Sequence, residues 1–283
     1  MPTIAQQLKT RIDGQLDELP VLEELSDTQY HSAHERFEGA SNQRALIVEW
    51  MQDFVKQIQF SGDRPTRLLS VGCGGGVMDQ RITSVFTDYV DALSIVGVDP
   101  NPEHTEAFRK QFEKKSIEVD AHTGMFEDFD DPRPYDVIHF VHCLYYFEHI
   151  EPELRKAMTM LAPGGALVIL QAPNEALNHL ADRVWKKQFN QSAWFSDDVI
   201  QVFNHLQVDY NCQRLDAEVE VTECFEANSE VGFAILDFIV QANTRNFSQP
   251  LQNSVRESLR SICRSDGNRL FCQHPVDVII AQH

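Results

Sequence analysis

Gly72-Cys73-Gly74-Gly75-Gly76 follows directly on the apolar run Arg67-Leu68-Leu69-Ser70-Val71. Closely spaced glycines let backbone approach a ligand, because they accept positive φ and carry no Cβ, and a helix opening behind them offers unpaired N–H groups. A second apolar run, Ala92-Leu93-Ser94-Ile95-Val96-Gly97-Val98, ends in Asp99 and Pro100. An acidic residue at the tip of the neighbouring strand can hydrogen-bond ribose hydroxyls. The two features predict a pocket for a nucleoside-type cofactor lined by Gly72, Cys73, Gly74, Gly76, Asp99 and Pro100. The strict G-x-G-x-x-G fingerprint needs a small residue where Val77 stands, whereas G-x-G-x-G is satisfied by Gly72, Gly74 and Gly76. Farther on, His142-Cys143-Leu144-Tyr145-Tyr146 brings a titratable ring and two phenols to the end of another apolar stretch, the place where α/β sheets bind ligands.

These residues need a scaffold, and the alternation of short apolar runs with helical patterns predicts one from βαβ units around a parallel sheet. The pattern places strands near 67–71, 93–98, 117–121, 135–141 and 165–171, with helices near 76–88, 102–115 and 151–161. Leu161-Ala162-Pro163-Gly164-Gly165 reads as the tight turn before the fifth strand. Upstream, Ile4, Leu8, Ile12 and Leu16 recur every four positions as an amphipathic helix ending before Pro20. A stretch from Tyr30 to Phe37 precedes an N-cap at Ser41 or Asn42 and a helix to about Gln59, with Leu46, Trp50, Phe54 and Ile58 on one stripe. After Pro173 the rhythm loosens. A segment rich in Trp185, Phe189, Trp194 and Phe195 reads as a lid, followed by strands near 206–211, 217–224 and 275–281.

Composition narrows the partners. The chain has 283 residues, with 43 acidic against 24 basic side chains and a formal net charge of −19; binding a phosphate backbone needs clustered Lys and Arg, so no nucleic-acid partner is expected. No run of about 20 apolar residues and no signal-peptide pattern occurs, which predicts no membrane span and a cytoplasmic protein, expected as a monomer. The six cysteines form no C-x-x-C pair, and His139 and His142, three apart on a strand, point to opposite faces. No metal site is therefore expected.

Three further stretches resemble, in order and spacing, the successive motifs of class I S-adenosylmethionine-dependent methyltransferases: Asp99-Pro100-Asn101-Pro102, Tyr135-Asp136-Val137-Ile138-His139-Phe140, and Leu161-Ala162-Pro163-Gly164-Gly165-Ala166-Leu167-Val168-Ile169. His139-Phe140-Val141-His142-Cys143-Leu144-Tyr145-Tyr146, Trp185-Lys186-Lys187 and Ser196-Asp197-Asp198, with Tyr30, Phe37 and Ser41, are similar to histamine N-methyltransferase. The likeness runs from about Tyr30 to the C-terminus. It implies a Rossmann-like α/β sheet flanked by helices with a smaller substrate-binding cap, divided as an extension (1–28), substrate-binding helices (29–65), a cofactor-binding domain (66–172) and a cap with closing strands (173–283). It also implies S-adenosyl-L-methionine as cofactor, with His104, Met125, Phe126, Val141 and Tyr146 joining the glycine loop and Asp99 around it.

Methyl transfer from a sulfonium is an in-line displacement that needs alignment and exclusion of water rather than an enzyme nucleophile. A neutral imidazole, with an ordinary pKa of about 6.5, is a competent acceptor near neutrality. The resemblance implies a small-molecule amine or N-heterocycle bound by Tyr30, His34, Phe37, Gln43, His142, Tyr146, Trp185, Trp194, Phe238 and Gln273, with His142, Tyr145 and Tyr146 nearest the chemistry. Aromatic faces suit both a flat ring and a sulfonium. Where the histamine family has a Glu on its opening helix this chain has Gln43; where it has a Gln after the fourth strand, His142; where it has an Asn near the C-terminus, Gln273. Losing the carboxylate partner of a cationic amine costs about 2–5 kcal/mol, so histamine itself is expected to bind poorly, and restoring Glu at 43 and Gln at 142 to raise its turnover. An O-methyltransferase, with His142 as base, and a non-catalytic cofactor-binding module remain as alternatives.

Overall fold

The computed structural model describes residues 25–60, 62–175, 177–189 and 192–282; the repeat at Ile4, Leu8, Ile12 and Leu16 lies outside the described residues. In chain order the strands are β1 (Thr66–Val71), β2 (Leu93–Asp99), β3 (Glu118–Thr123), β4 (Tyr135–Val141), β5 (Leu161–Gln171), β6 (Tyr210–Leu215), β7 (Glu218–Glu220), β8 (Cys263–Asp266), β9 (Arg269–Gln273) and β10 (Val276–Gln282). The helices are α1 (Asp27–Ala40), α2 (Gln43–Val55), α3 (Val77–Phe86), α4 (Pro102–Phe112), α5 (Ile150–Thr159), α6 (Leu177–Phe189), α7 (Ser196–Leu206), α8 (Glu230–Val240) and α9 (Gln249–Ser261). The chain forms two compact units, a sheet unit of Arg44–Ala172, Trp194–Leu215 and Val276–His283 and a helical unit of Met1–Gln43, Pro173–Ala193 and Asp216–Pro275.

The sheet unit holds seven strands in the order β3-β2-β1-β4-β5-β10-β6. β1 to β5 pair in parallel, and β10 runs antiparallel to both β5 and β6. Every residue of β1 and β2 is buried, as expected for central parallel strands covered on both faces. Strand alternation sends Leu68, Val168, Leu170, Val276 and Val278 to one face, under α2, α3 and α4 through Met51, Phe54, Phe86 and Phe108. Leu69, Val71, Leu167, Ile169 and Ile279 go to the other, under α5 and α7 through Leu154, Val199 and Phe203. The chain leaves β1 toward β2 on one side and β4 on the other, so a crevice opens at their carboxyl ends.

The helical unit packs α1, α6, α8 and α9 with the three-stranded sheet β7-β9-β8. Its core runs from Phe37 through Val219, Ile235, Leu236, Val255 and Leu259 to Cys272.

The sheet unit begins at Arg44, and Ile47, Trp50, Met51 and Phe54 of α2 bury into its core. Several expectations are corrected. Helix α2 stops at Val55, short of Gln59. Residues 206–209 are no strand: α7 continues to Leu206 with Val199 and Phe203 on its buried stripe, and the strand is β6 at Tyr210–Leu215. The strand read at 217–224 shortens to β7 before a 3₁₀ turn at Thr222–Phe225. The segment read as a lid is the helix α6 followed by a stretch anchored in the sheet unit: the Trp194 indole N–H donates to the Phe147 carbonyl at 2.8 Å, and Phe195 is buried.

Candidate active site

The glycine loop has the backbone its composition predicts. Gly72, Gly74 and Gly76 sit at φ of 66°, 51° and 75°. The amides of Gly72 and Cys73 donate to the Val98 carbonyl at 2.8 and 3.2 Å, tying the loop to the end of β2. A Cβ on Gly72 would lie 2.4 Å from the Cys143 Cβ, so the turns after β1 and β4 pack backbone against side chain. Cys73 is itself buried in the core, its thiol raised by burial first and by Asp79 and Asp99 after that.

Asp99 organises this end of the sheet. Its Oδ2 accepts the Gly74 amide at 3.0 Å, and its Oδ1 accepts the Asn101 amide and meets His104 Nδ1, each at 3.0 Å. A carboxylate oxygen can accept two hydrogen bonds, so with these described partners Oδ2 keeps capacity for a hydroxyl. Asn101 caps α4 through the Glu103 amide at 2.9 Å, with Pro102 opening the helix.

Among the described residues few large apolar side chains are exposed, and three of them follow strand carboxyl ends in this unit: Val77 at 46 % after β1, Met125 at 46 % after β3 and Tyr146 at 60 % after β4. Val141, at the end of β4, is partly buried. Phe126 differs from Met125 in where its side chain goes. It turns into the core against Phe140 and Phe129, under the Lys156 ammonium, leaving Met125 alone of that pair at the surface.

His142 breaks out of β4 at φ 50°, a left-handed conformation that histidine tolerates better than most residues. Its amide donates to the Leu170 carbonyl at 2.9 Å, and its ring lies parallel to Tyr145 with 6.2 Å between centroids. Nδ1 is 3.1 Å from the Tyr145 hydroxyl, which also accepts the Ala172 amide at 3.2 Å. Leu144, fully buried, anchors this 3₁₀ turn while Tyr146 stays outside. Cys143 donates to the Val71 carbonyl at 3.1 Å, and burial holds its thiol well above the ordinary range.

In the helical unit, four expected residues form one ring cluster. Tyr30, His34 and Phe37 occupy one face of α1 at helical spacing, and Phe238 of α8 meets them with centroids at 5.9, 5.2 and 4.7 Å respectively. Tyr30 and His34 lie parallel at 6.2 Å. Glu38 Oε1 comes within 3.7 Å of His34 Nε2.

His274, missed in the sequence, completes the cluster. It stands edge-on to Phe37 at 4.8 Å and is buried, whereas Gln273 is exposed. The Gln43 amide nitrogen donates to the His274 carbonyl at 2.9 Å and lies 3.4 Å from His274 Nε2, while Ser41 Oγ lies 3.1 Å from Nδ1 and accepts the Gln43 backbone amide at 3.2 Å. These contacts are all donor to acceptor only if Nε2 is bare and Nδ1–H donates to Ser41. A carboxylate at position 43 would lose the amide donor and face the His274 carbonyl oxygen in a site only 2 % exposed. Gln43→Glu is expected to lower unfolding stability by about 3 kcal/mol, with His274→Ala restoring part of the loss in the double variant, as read by urea denaturation. Trp185 falls on α6, its side chain outside what is described. No cluster of three or more metal-ligating side chains occurs among the described residues.

An open sheet of this order, with an antiparallel strand inserted beside β5, a glycine loop on β1 and an acidic residue closing β2, defines the class I methyltransferase fold. The chain belongs to the methyltransferase domain family, whose profile matches residues 40–220. Among curated proteins it is similar to histamine N-methyltransferase of Cavia porcellus, 24 % identical over 272 residues that cover 86 % of this chain and 91 % of that one. The Mus musculus enzyme is 24 % identical over 204 residues, 65 % and 68 % of the two chains. Among solved structures, the YcgJ protein of Bacillus subtilis superposes with a TM-score of 0.56 at 15 % identity, covering 82 % of this chain and 97 % of that one. The plantazolicin methyltransferase BpumL, in complex with SAH, superposes at 0.53 and 13 % identity, over 99 % and 97 %. No helix among the described residues is long and apolar enough to cross a membrane.

Proposed function

We propose that this protein is an S-adenosyl-L-methionine-dependent N-methyltransferase whose acceptor is a compact amine or N-heterocycle. The observation that carries the reading is the carboxyl edge of the sheet. There the open backbone of Gly74, the remaining acceptor capacity of Asp99 and the exposed side chains of Val77, Met125 and Tyr146 come from the turns after β1, β2, β3 and β4. Apolar side chains left at that edge of a doubly covered sheet are what a nucleoside and a thioether would cover. The residues thus fit the donor: Asp99 for its ribose hydroxyls, the 72–76 backbone for its carboxylate end, Met125 and Val77 for its apolar parts. When bound, the donor supplies an electrophilic methyl group on a sulfonium.

The chain's own contribution is to orient and to keep water out. Tyr145 holds the His142 ring, and its hydroxyl can donate to Nδ1, which leaves the imidazole proton on Nε2 facing away from Tyr145. So held, His142 can donate its Nε2–H to an acceptor's polar group; in the other tautomer, with Nδ1–H donating to the Tyr145 hydroxyl, Nε2 is bare and can take a proton. Tyr146 offers a ring face to the acceptor or to the sulfonium. The helical unit carries a ring cluster of its own, Tyr30, His34, Phe37 and Phe238, whose faces are of the kind that stack on a heteroaromatic ring. Similarity to histamine N-methyltransferases supports nitrogen over oxygen as the atom methylated, and Gln43, locked neutral against His274, supports an acceptor other than histamine.

Radiolabelled methyl donor offered with a panel of amines, imidazoles and phenols tests the reading. Labelled N-methyl product is expected; labelled product from phenols alone, or saturable donor binding with no turnover, overturns it. His142→Ala is expected to lower kcat/KM for the acceptor at least tenfold while leaving the affinity for S-adenosylhomocysteine within twofold. An unchanged kcat/KM would remove His142 from the chemistry.

A further inference from the structure

Three thiols gather in the core of the helical unit, the core that Phe37 and Phe238 also enter. Cys224 and Cys272 are buried and Cys263 is partly exposed, all packed in one cluster. Cys263 and Cys272 are register partners across the antiparallel pair β8 and β9, and their sulfurs are 2.8 Å apart. Both lean on the last turn of α9: Cys263 Sγ donates to the Leu259 carbonyl at 3.0 Å, and Cys272 Sγ lies 3.8 Å from the same oxygen. Facing residues on antiparallel strands keep their Cβ atoms about 4.5–5.5 Å apart, against about 3.5–4.5 Å in a disulfide. The bond therefore needs only a small closure of the hairpin.

We propose that Cys263 and Cys272 form a reversible oxidation site whose oxidant is a small peroxide, with Cys263 the attacking thiol and Cys272 the resolving one. The Cys263 sulfur is the one open to solvent, so the oxidant reaches it first. The Cys272 S–H hydrogen bond draws the Cys263 thiol below its ordinary value, against its burial and with help from Arg260. Cys272 is held above its own value by that bond and by burial, so Cys263 is the sulfur that gives up its proton first, releasing the Leu259 carbonyl, while Cys272 keeps its own. The Cys263 thiolate attacks one peroxide oxygen and the O–O bond breaks; hydroxide departs and takes up the proton shed by Cys263 to become water, and a sulfenic acid remains. The Cys272 sulfur then attacks the Cys263 sulfur, the S–O bond breaks, and the hydroxyl departs as water with the Cys272 proton. Two thiols lose two electrons, and one peroxide becomes two waters.

The test uses the full chain, folded and reduced, treated with one equivalent of hydrogen peroxide, then alkylated and mapped by mass spectrometry. A Cys263–Cys272 linked peptide that disappears after dithiothreitol is expected as the main product. Cys272→Ser should stop at a Cys263 sulfenic acid that dimedone captures, and Cys263→Ser should cut the rate of thiol loss in this unit at least tenfold. Pairing of Cys263 with Cys224, or oxidation of the exposed Cys212 while Cys263 and Cys272 remain thiols, overturns the proposal. The wild-type map decides the matter even if a serine variant fails to fold.

Discussion

Gly74→Ala is expected to bind S-adenosylhomocysteine at least tenfold more weakly than the wild-type chain while melting only a few degrees lower. A Cβ at Gly74 meets no atom within 4 Å, so its cost to the fold is that of placing alanine at φ 51°, about 1–2 kcal/mol. The same Cβ would occupy the space in which the loop offers its backbone, and it would disturb the amide that Asp99 receives at 3.0 Å. Gly72→Ala behaves differently. Its Cβ collides with the side chain of Cys143 at φ 66°, so the turns after β1 and β4 must part and folded protein itself should be lost. Calorimetry for binding and thermal unfolding for stability separate the two variants. Donor affinity of Gly74→Ala equal to wild type would remove the loop from the binding site.

His139→Leu is expected to cost about 3–5 kcal/mol of unfolding stability, the second large effect. His139 of β4 and Asp79 of α3 are both buried, and Nε2 lies 2.7 Å from the carboxylate. Asp79 sits in the first turn of the helix that opens out of the glycine loop, where the helix dipole favours a negative charge. The pair thus fastens that helix start to the centre of the sheet. Removing the imidazole leaves a buried carboxylate without its partner, which is why the loss exceeds that of an ordinary hydrogen bond. Asp79→Leu should be destabilising as well, and the double variant His139→Leu with Asp79→Leu should recover a large share, since replacing both partners by apolar groups removes the uncompensated charge. Urea denaturation of the three variants measures the coupling. Single losses that simply add would show that the pair is not a unit.

The Gly72–Gly76 loop, Asp99 and the strands that carry them were legible because each depends on local chemistry: glycine for positive φ, an acid at a strand tip, buried runs for central strands. α8 was not legible, because Val231-Gly232-Phe233-Ala234-Ile235-Leu236-Asp237-Phe238-Ile239-Val240 is apolar nearly all round, and periodicity cannot tell such a buried helix from a strand. His274 escaped through a matter of parity. β9 alternates, so Cys272 and His274 turn inward while Gln273 faces solvent, and a positional match to a relative lands one residue away from the side chain that holds Gln43. The spacing of His139 and His142 assumed one strand for both, but β4 ends at Val141 and His142 leaves it at φ 50°. That spacing could not name Asp79, 60 positions away in the chain, as the partner of the first.

The placement of β10 between β5 and β6 has a consequence for synthesis of the chain. While residues 276–282 are still inside the ribosome, β5 presents an open edge and β6 has no neighbour on either side, a state that invites pairing with other nascent strands. At about 5–20 residues per second that exposure spans many seconds after the glycine loop has emerged, so aggregation during translation should respond sharply to chaperones that shield strand edges.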